Sequence, residues 1–190
     1  MDAFVGVLSV GVGVGGSTSG TCSRSGRRRL VVASAGKDGY KLNISEAIMV
    51  DLEGESLNSI SKMPISAIQG VGEKTEKVLG ALGLKTVSDM ADYKFYKISR
   101  AIAVLESVER DGKRPDSSTM NIDKAVDKDF ESKSFGDICD ASASALQGIS
   151  EEKGELLASI GVDTVRKLGE WKYFKWAESI VDLSKFEETK

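Results

Sequence analysis

The chain has 190 residues, with 26 Lys and Arg against 29 Asp and Glu, a formal net charge of −3, no histidine and only two cysteines. The lack of histidine excludes a Ser-His-Asp or Cys-His catalytic arrangement, and it also excludes a Cys/His zinc site. Since no other grouping of acid, base and nucleophile stands out, we expect a protein that is not an enzyme and that has no catalytic, metal or cofactor site.

The N-terminal segment 1–35 is rich in Gly, Ser and Val, and we predict that it is a disordered targeting peptide. It carries four arginines against one acid. Phe4 near its start, and Arg27–Arg29 followed by Leu-Val-Val-Ala-Ser-Ala, resemble the transit peptides of algae with red-lineage or glaucophyte-type plastids. That resemblance implies import into the plastid stroma. A secretory signal is the alternative, but the arginines follow the apolar stretch rather than precede it. No segment has the about 20 apolar residues that a transmembrane helix needs.

An internal repeat covers most of the remaining chain. Residues 42–109 align without a gap with residues 120–187, at a shift of 78 residues, and the polar segment 110–119 between them is a predicted linker. A shared register over this length predicts two copies of one small fold. Because each copy is near the size at which one core is marginally stable, we expect the copies to pack on each other or on a partner. A flexible dumbbell is the alternative.

Each copy begins with a leader (42–63 and 120–141), predicted as short helices or an extended arm. In the first copy we then predict four helices. The first begins at Pro64, and the other three cover 73–82, 87–93 and 96–108. Gly83 is expected to end the second of these helices, and Thr86 with Asp89 to cap the third. No alternating stretch is long enough to require a sheet, so the predicted fold class is all-α.

The segment 68–87 (Ile-Gln-Gly-Val-Gly-Glu-Lys and onward) resembles a helix-hairpin-helix motif. In that family a Gly-apolar-Gly turn joins two helices and often holds a nucleic-acid backbone. The resemblance implies that Gly70, Gly72, Lys74 and Lys77 could bind phosphate, since glycines allow close approach and a helix N-terminus with lysines attracts the anion.

The second copy departs from this motif, because Ser150 replaces the second glycine and Glu155 replaces Lys77. The charge balance also disfavours nucleic acid, with 10 basic against 12 acidic residues in 42–119 and 9 against 14 in 120–187. Nucleic-acid binding through the first hairpin is therefore the alternative function. The structural interpretation is that each hairpin is a corner whose only role is in packing.

An aromatic segment occurs at the same place in both copies. A helix cannot bury four aromatics in six residues on one face, so one set is expected in the core and another is a candidate anchor for a protein partner. The alternatives are that all are core residues or that they stack on bases. The predicted partner-binding residues are Trp171, Tyr173, Phe174, Trp176, Tyr93, Phe95 and Tyr96.

These observations together predict a non-enzymatic scaffold or linker protein of the plastid stroma, built from two helix-hairpin-helix-like domains. We expect it to lie at the periphery of the thylakoid membrane, within a photosynthetic assembly, linking antenna components such as a phycobilisome to photosystem subunits. This setting depends on the N-terminal resemblance and the lack of catalytic groups rather than on a motif.

Overall fold

The computed structural model describes residues 41–188, so the predicted targeting segment 1–35 lies outside the described residues. Residues 41–188 form α-helices and single-turn 3-10 helices, and no strand lies among them. The α-helices are α1 (Leu57–Ser61), α2 (Glu73–Ala81), α3 (Val87–Ala91), α4 (Lys94–Glu106), α5 (Phe135–Asp140), α6 (Glu151–Ala158), α7 (Val165–Glu170) and α8 (Lys172–Ser184). The predicted all-α class is thus confirmed for this part of the chain.

The same order of elements occurs in residues 42–109 (half 1) and residues 120–187 (half 2). Each half has a 3-10 turn, a short helix, a second 3-10 turn and three further helices. Isolated backbone bridges recur at the same shift: Ile48–Ile68 and Pro64–Thr86 in half 1, and Val126–Leu146 and Ser142–Thr164 in half 2. The two halves therefore share one local plan.

The helix boundaries follow the local sequence signals, with one exception. The side-chain oxygen of Thr86 accepts a hydrogen bond from the Asp89 amide, and the Asp89 carboxylate accepts one from the Thr86 amide, so the predicted capping box begins α3. The helix predicted from Pro64 is instead a single 3-10 turn, Ile65–Ala67. It stops there because Ile68 takes an extended conformation and pairs with Ile48, which an α-helix would prevent.

The last helix of each half packs on the other half. Helix α4 contacts α5 and α7 of half 2, while α8 contacts α1 and α3 of half 1. A single hydrophobic cluster includes buried residues of both halves, such as Leu79 and Leu157. Since each half lends a helix to its neighbour's core, neither half encloses its apolar residues alone. The dumbbell alternative is incompatible with this shared core.

A glycine allows two of these helices to approach closely. A Cβ atom on Gly169 of α7 would lie 2.6 Å from the carbonyl carbon of Ser99 in α4. In the equivalent contact between α3 and α8, Ala91 takes the place of Gly169 and Ala177 takes the place of Ser99. Both alanines are buried. Small residues at both places therefore fit the backbones of the paired helices together.

Carboxylates near the end of each half cap the first helix of the other. The Glu187 carboxylate accepts hydrogen bonds from the amides of Leu57 (3.0 Å) and Asn58 (2.9 Å) at the start of α1. Glu109 accepts one from the Gly136 amide (3.2 Å) at the start of α5. These amides have no acceptor within their own helices, so the two carboxylates complete the exchange between halves.

Candidate functional site

Three of the seven aromatic residues predicted to contact a partner lie in the core. Tyr93, Tyr96 and Phe174 are buried, and the Phe174 ring centroid lies 5.0 Å from that of Tyr96 and 5.6 Å from that of Tyr93. Burial raises the pKa of Tyr93 to about 12. The pKa of Tyr96 is also raised, by burial and then by its hydrogen bond to Glu178. A partner-contact role does not fit these three rings, because they stabilise the contact between the halves and leave almost no accessible surface.

The other four aromatic residues, Phe95, Trp171, Tyr173 and Trp176, are half-buried. The Tyr173 ring packs edge-on against Trp171, with centroids 5.0 Å apart, and against Trp176, at 5.8 Å. The Lys172 ammonium lies 5.0 Å from the Tyr173 centroid and 5.2 Å from the nearest ring centroid of Trp176, so a cation covers part of this surface. Contact with a partner stays a prediction for these four rings only.

The aromatic segment of each half lies on the glycine corner of the other. The Tyr173 hydroxyl donates a hydrogen bond to the Gly70 carbonyl (3.0 Å), and a Cβ on Gly70 would lie 2.7 Å from that hydroxyl oxygen. Phe95 approaches Gly148 in the same way, with 3.3 Å between its ring and the position of a Cβ. Both glycines have positive φ, 89° and 104°. The structure thus joins two features that the sequence presents separately.

The four candidate phosphate-binding residues do lie together at the start of α2, but its lysines have protein acceptors. The Lys74 ammonium donates to the Ser159 carbonyl at the end of α6. The Lys77 ammonium pairs with the Glu73 carboxylate at 2.7 Å. Gly72 precedes α2 and provides no side-chain cap. A phosphate at this corner would therefore compete with existing contacts of both lysines and would lie beside Glu73.

Exposed apolar groups recur at equivalent positions around the C-terminal ends of α4 and α8, whereas the exposed Val104 (60%) has the charged Asp182 as its equivalent. Apolar turn 1 contains Leu105 (47% exposed) and Val108 (71%), and apolar turn 2 contains Leu183 (58%) and Phe186 (83%). The amide of the second residue in each turn donates to the carbonyl of the first, at 3.1 Å and 3.0 Å. Glu109 and Glu187, one residue further on, bind helix α5 or α1 of the other half and hold each turn in place.

The helical periodicity places Leu105 and Val108 on one face with Ile102, and this predicts that they are buried together. Only Ile102 is buried; this end of the helix contacts half 2 through the carboxylates of Glu106 and Glu109 instead, and Leu105 and Val108 remain exposed. The signal that could have identified an exposed turn is the repeat itself. Leucine at 105 and 183, and an apolar residue at 108 and 186, recur among charged neighbours.

A charged cluster joins three helices and includes Glu106, which lies within apolar turn 1. The Arg166 guanidinium of α7 contacts the carboxylates of Glu106 (3.2 Å) and Asp140 (3.3 Å), and the hydrogen bond with Glu106 is the main cause of its raised pKa. Cys139 beside it is buried, and burial raises the pKa of its thiol. Because these groups satisfy one another within the interface, the cluster has a structural role.

Residues 41–188 contain no group of three or more His, Cys, Asp or Glu side chains placed to hold a metal ion. None of their helices combines the length and the apolar character needed to cross a bilayer. Comparison with protein-family models, with curated proteins and with solved structures gave no match. Among residues 41–188, the two apolar turns and the four half-buried rings are the candidate site for binding a protein partner.

Proposed function

We propose that the chain is a non-enzymatic scaffold protein that binds neighbouring proteins through its two apolar turns. The observation that carries this proposal is the exposure of Leu105, Val108, Leu183 and Phe186 at equivalent positions of one folded unit. Exposed apolar side chains that are held in fixed positions are characteristic of protein-binding surfaces, because their burial in a complex is favourable and costs little ordering.

The duplicated plan supports a bivalent linker. We interpret the halves as a tandem pair of helix-hairpin-helix-like domains, each with a positive-φ glycine corner (Gly70 or Gly148) before a helix. Two equivalent turns on one body can bind two copies of a similar motif, or bind one partner twice with a raised effective concentration. Of the aromatic residues, Trp171 and Trp176 are the candidate additional contacts, since tryptophan is enriched among the residues that contribute most to binding.

The proposed setting is the plastid stroma at the periphery of the thylakoid membrane, in an assembly that links antenna and photosystem components. It is supported by the resemblance of segment 1–35 to algal plastid transit peptides. Nucleic-acid binding through the first hairpin is less well supported, because Tyr173 lies on Gly70 and both Lys74 and Lys77 have protein acceptors.

The test uses the full chain and solubilised algal thylakoid membranes on native gels. We expect the wild-type protein to migrate with a membrane complex, and the four-fold variant Leu105→Ser, Val108→Ser, Leu183→Ser, Phe186→Ser to migrate alone. The double variant Leu105→Ser, Val108→Ser and the double variant Leu183→Ser, Phe186→Ser each keep one apolar turn. Each should therefore still bind but should no longer join two complexes. The thermal stability should be unchanged, since the altered side chains are exposed.

Val50→Ser is the matched control, because Val50 is 66% exposed but its equivalent in half 2 is Lys128. It should bind like the wild-type protein. Co-migration of the four-fold variant at wild-type level would contradict the proposal. Binding to single-stranded DNA that falls steeply with salt, and that a Lys74→Glu, Lys77→Glu variant loses, would favour the alternative function.

A further inference from the structure

Two residues of half 1 contact their own equivalents in half 2. Tyr96 corresponds to Phe174 at the shift of 78 residues, and their rings stack with centroids 5.0 Å apart at an interplanar angle of 18°. Arg100 corresponds to Glu178, and the two form an ion pair. A residue that touches its own equivalent lies on a two-fold axis, as in the isologous interface of a symmetric dimer.

The contacts away from this axis occur twice with the halves exchanged, as such symmetry requires. Tyr173 lies on Gly70 while Phe95 lies on Gly148. The carboxylate of Glu187 caps α1 while that of Glu109 caps α5. The interface between the halves therefore has the form of a dimer interface within one chain, and it could be built equally well from two chains.

We infer that Arg100 and Glu178 select the pairing of unlike halves, and that this face also accepts the complementary half of a second copy of the chain. In the resulting exchanged dimer, half 1 of each copy pairs with half 2 of the other. Every contact of the interface is kept, and only the linker follows a different path. Such a dimer would present four apolar turns in place of two, which would double the valency of the surface.

The chemistry at the axis favours unlike halves. Pairing two copies of half 1 would place Arg100 against a second Arg100, and pairing two copies of half 2 would place Glu178 against a second Glu178. The Tyr96 hydroxyl donates to the Glu178 carboxylate at 2.7 Å, and half 2 has no such donor because Phe174 takes the place of the tyrosine. Like charges in a partly buried contact oppose these homotypic pairings.

The linker imposes little resistance to exchange. Residues 111–117 are all exposed, so they add no buried side chain to the core. The Arg114 guanidinium donates hydrogen bonds to the carbonyls of Ser118 and Met120, a few residues away. Because these contacts are local, the linker can change direction without loss of contacts between the halves.

The test uses two full-length variants, Arg100→Glu and Glu178→Arg, with different tags and under reducing conditions. Alone, each variant places like charges together at the axis, so its melting temperature should fall below that of the wild type. Mixed, unfolded and refolded together, they can form an exchanged dimer in which both axial pairs are again Arg with Glu. We expect a 1:1 dimer by native mass spectrometry, with a melting temperature restored toward the wild-type value.

Two controls make the result specific. The double variant Arg100→Glu, Glu178→Arg in one chain should fold as a stable monomer. A mixture of Lys77→Glu and Glu73→Lys, which alters an exposed ion pair inside half 1, should give no more dimer than the wild-type protein treated in the same way. The readout holds even if neither axial variant folds alone, because the dimer would then be the folded species in the mixture. A mixture that forms no 1:1 dimer would overturn the inference.

Discussion

The hydroxyl of Tyr173 donates a hydrogen bond to the carbonyl oxygen of Gly70 at 3.0 Å, across 103 residues of sequence. Phe95 takes the equivalent place on Gly148, where no hydroxyl is present. The glycine corner is therefore a surface on which the other half packs. Its backbone is close enough to an aromatic ring that a side chain at either glycine would displace the ring.

Gly70→Ala should lower the free energy of unfolding more than Gly83→Ala does. Both glycines have φ of 89°, so both variants carry the strain of a left-handed alanine, about 1–2 kcal/mol. Only Gly70 has a neighbour there, and displacement of Tyr173 would add about 1 kcal/mol for the lost hydrogen bond. Urea unfolding of both variants measures the difference.

A double-mutant cycle with Tyr173→Phe isolates that contact. In the Tyr173→Phe background the hydroxyl is already absent, so the Gly70→Ala cost should fall, while the ring carbons 3.3–3.4 Å from the new Cβ keep it above that of Gly83→Ala. Equal costs for Gly70→Ala in both backgrounds would show that the Tyr173 hydroxyl does not press on this corner.

Local features of this fold could be predicted from the sequence, while the exchange between halves could not. Thr86 and Asp89 predict the capping box because its hydrogen bonds join residues three apart, and Gly83 ends its helix for an equally local reason. The repeat predicts two equal plans, but an apolar face at Ile102 or Ile180 fits either half equally well. The sequence therefore does not distinguish packing within a half from packing on the other half. For the same reason, the contact of Tyr173 with Gly70 could not be predicted.

Glu187→Ala should destabilise the protein by about 1 kcal/mol, because the amides of Leu57 and Asn58 lose their charged acceptor. Glu109→Ala should cost less, since Glu109 accepts from Gly136 at a longer distance of 3.2 Å. The neighbouring exposed residue Glu188 provides the control, and Glu188→Ala should have almost no effect. Urea unfolding at low and high salt is the measurement, and the Glu187 effect should shrink as salt rises. An equal effect of Glu187→Ala and Glu188→Ala would contradict the proposed cap.

Asp89 should make the unfolding free energy depend on acid pH. Its carboxylate accepts hydrogen bonds from the amides of Thr86 (2.9 Å) and Lys85 (3.0 Å), which hold its pKa below the ordinary value of 3.8. Since the pKa is lowered by folding, the contribution is complete above the unfolded value and is lost as pH falls through the folded value. Asp89→Asn should therefore be less stable than the wild type at neutral pH, and the difference should narrow below about pH 4.

Thr164→Ala is the matched control for this pH dependence. Thr164 caps α7 as Thr86 caps α3, by accepting from the Lys167 amide at 3.2 Å, but a lysine stands where Asp89 would be. Its removal should cost about the same at every pH tested. Chemical unfolding at a series of pH values compares the two variants, and a constant gap between Asp89→Asn and the wild type down to about pH 2 would refute the assignment.

Gly169→Ala should be the most damaging of the single substitutions considered, at about 3 kcal/mol. The new Cβ would lie 2.6–2.7 Å from backbone atoms of Ser99 and Arg100, and backbone cannot move aside as a side-chain tip can. The opposite result is expected for Gly80→Ala in α2, where no atom lies within 4 Å and alanine favours the helix by up to about 1 kcal/mol. Thermal and urea unfolding of this pair separate helix propensity from helix contact. If Gly169→Ala were instead as stable as Gly80→Ala, α4 and α7 could not be in backbone contact, and the exchange of helices between the halves would be disproved at its closest point.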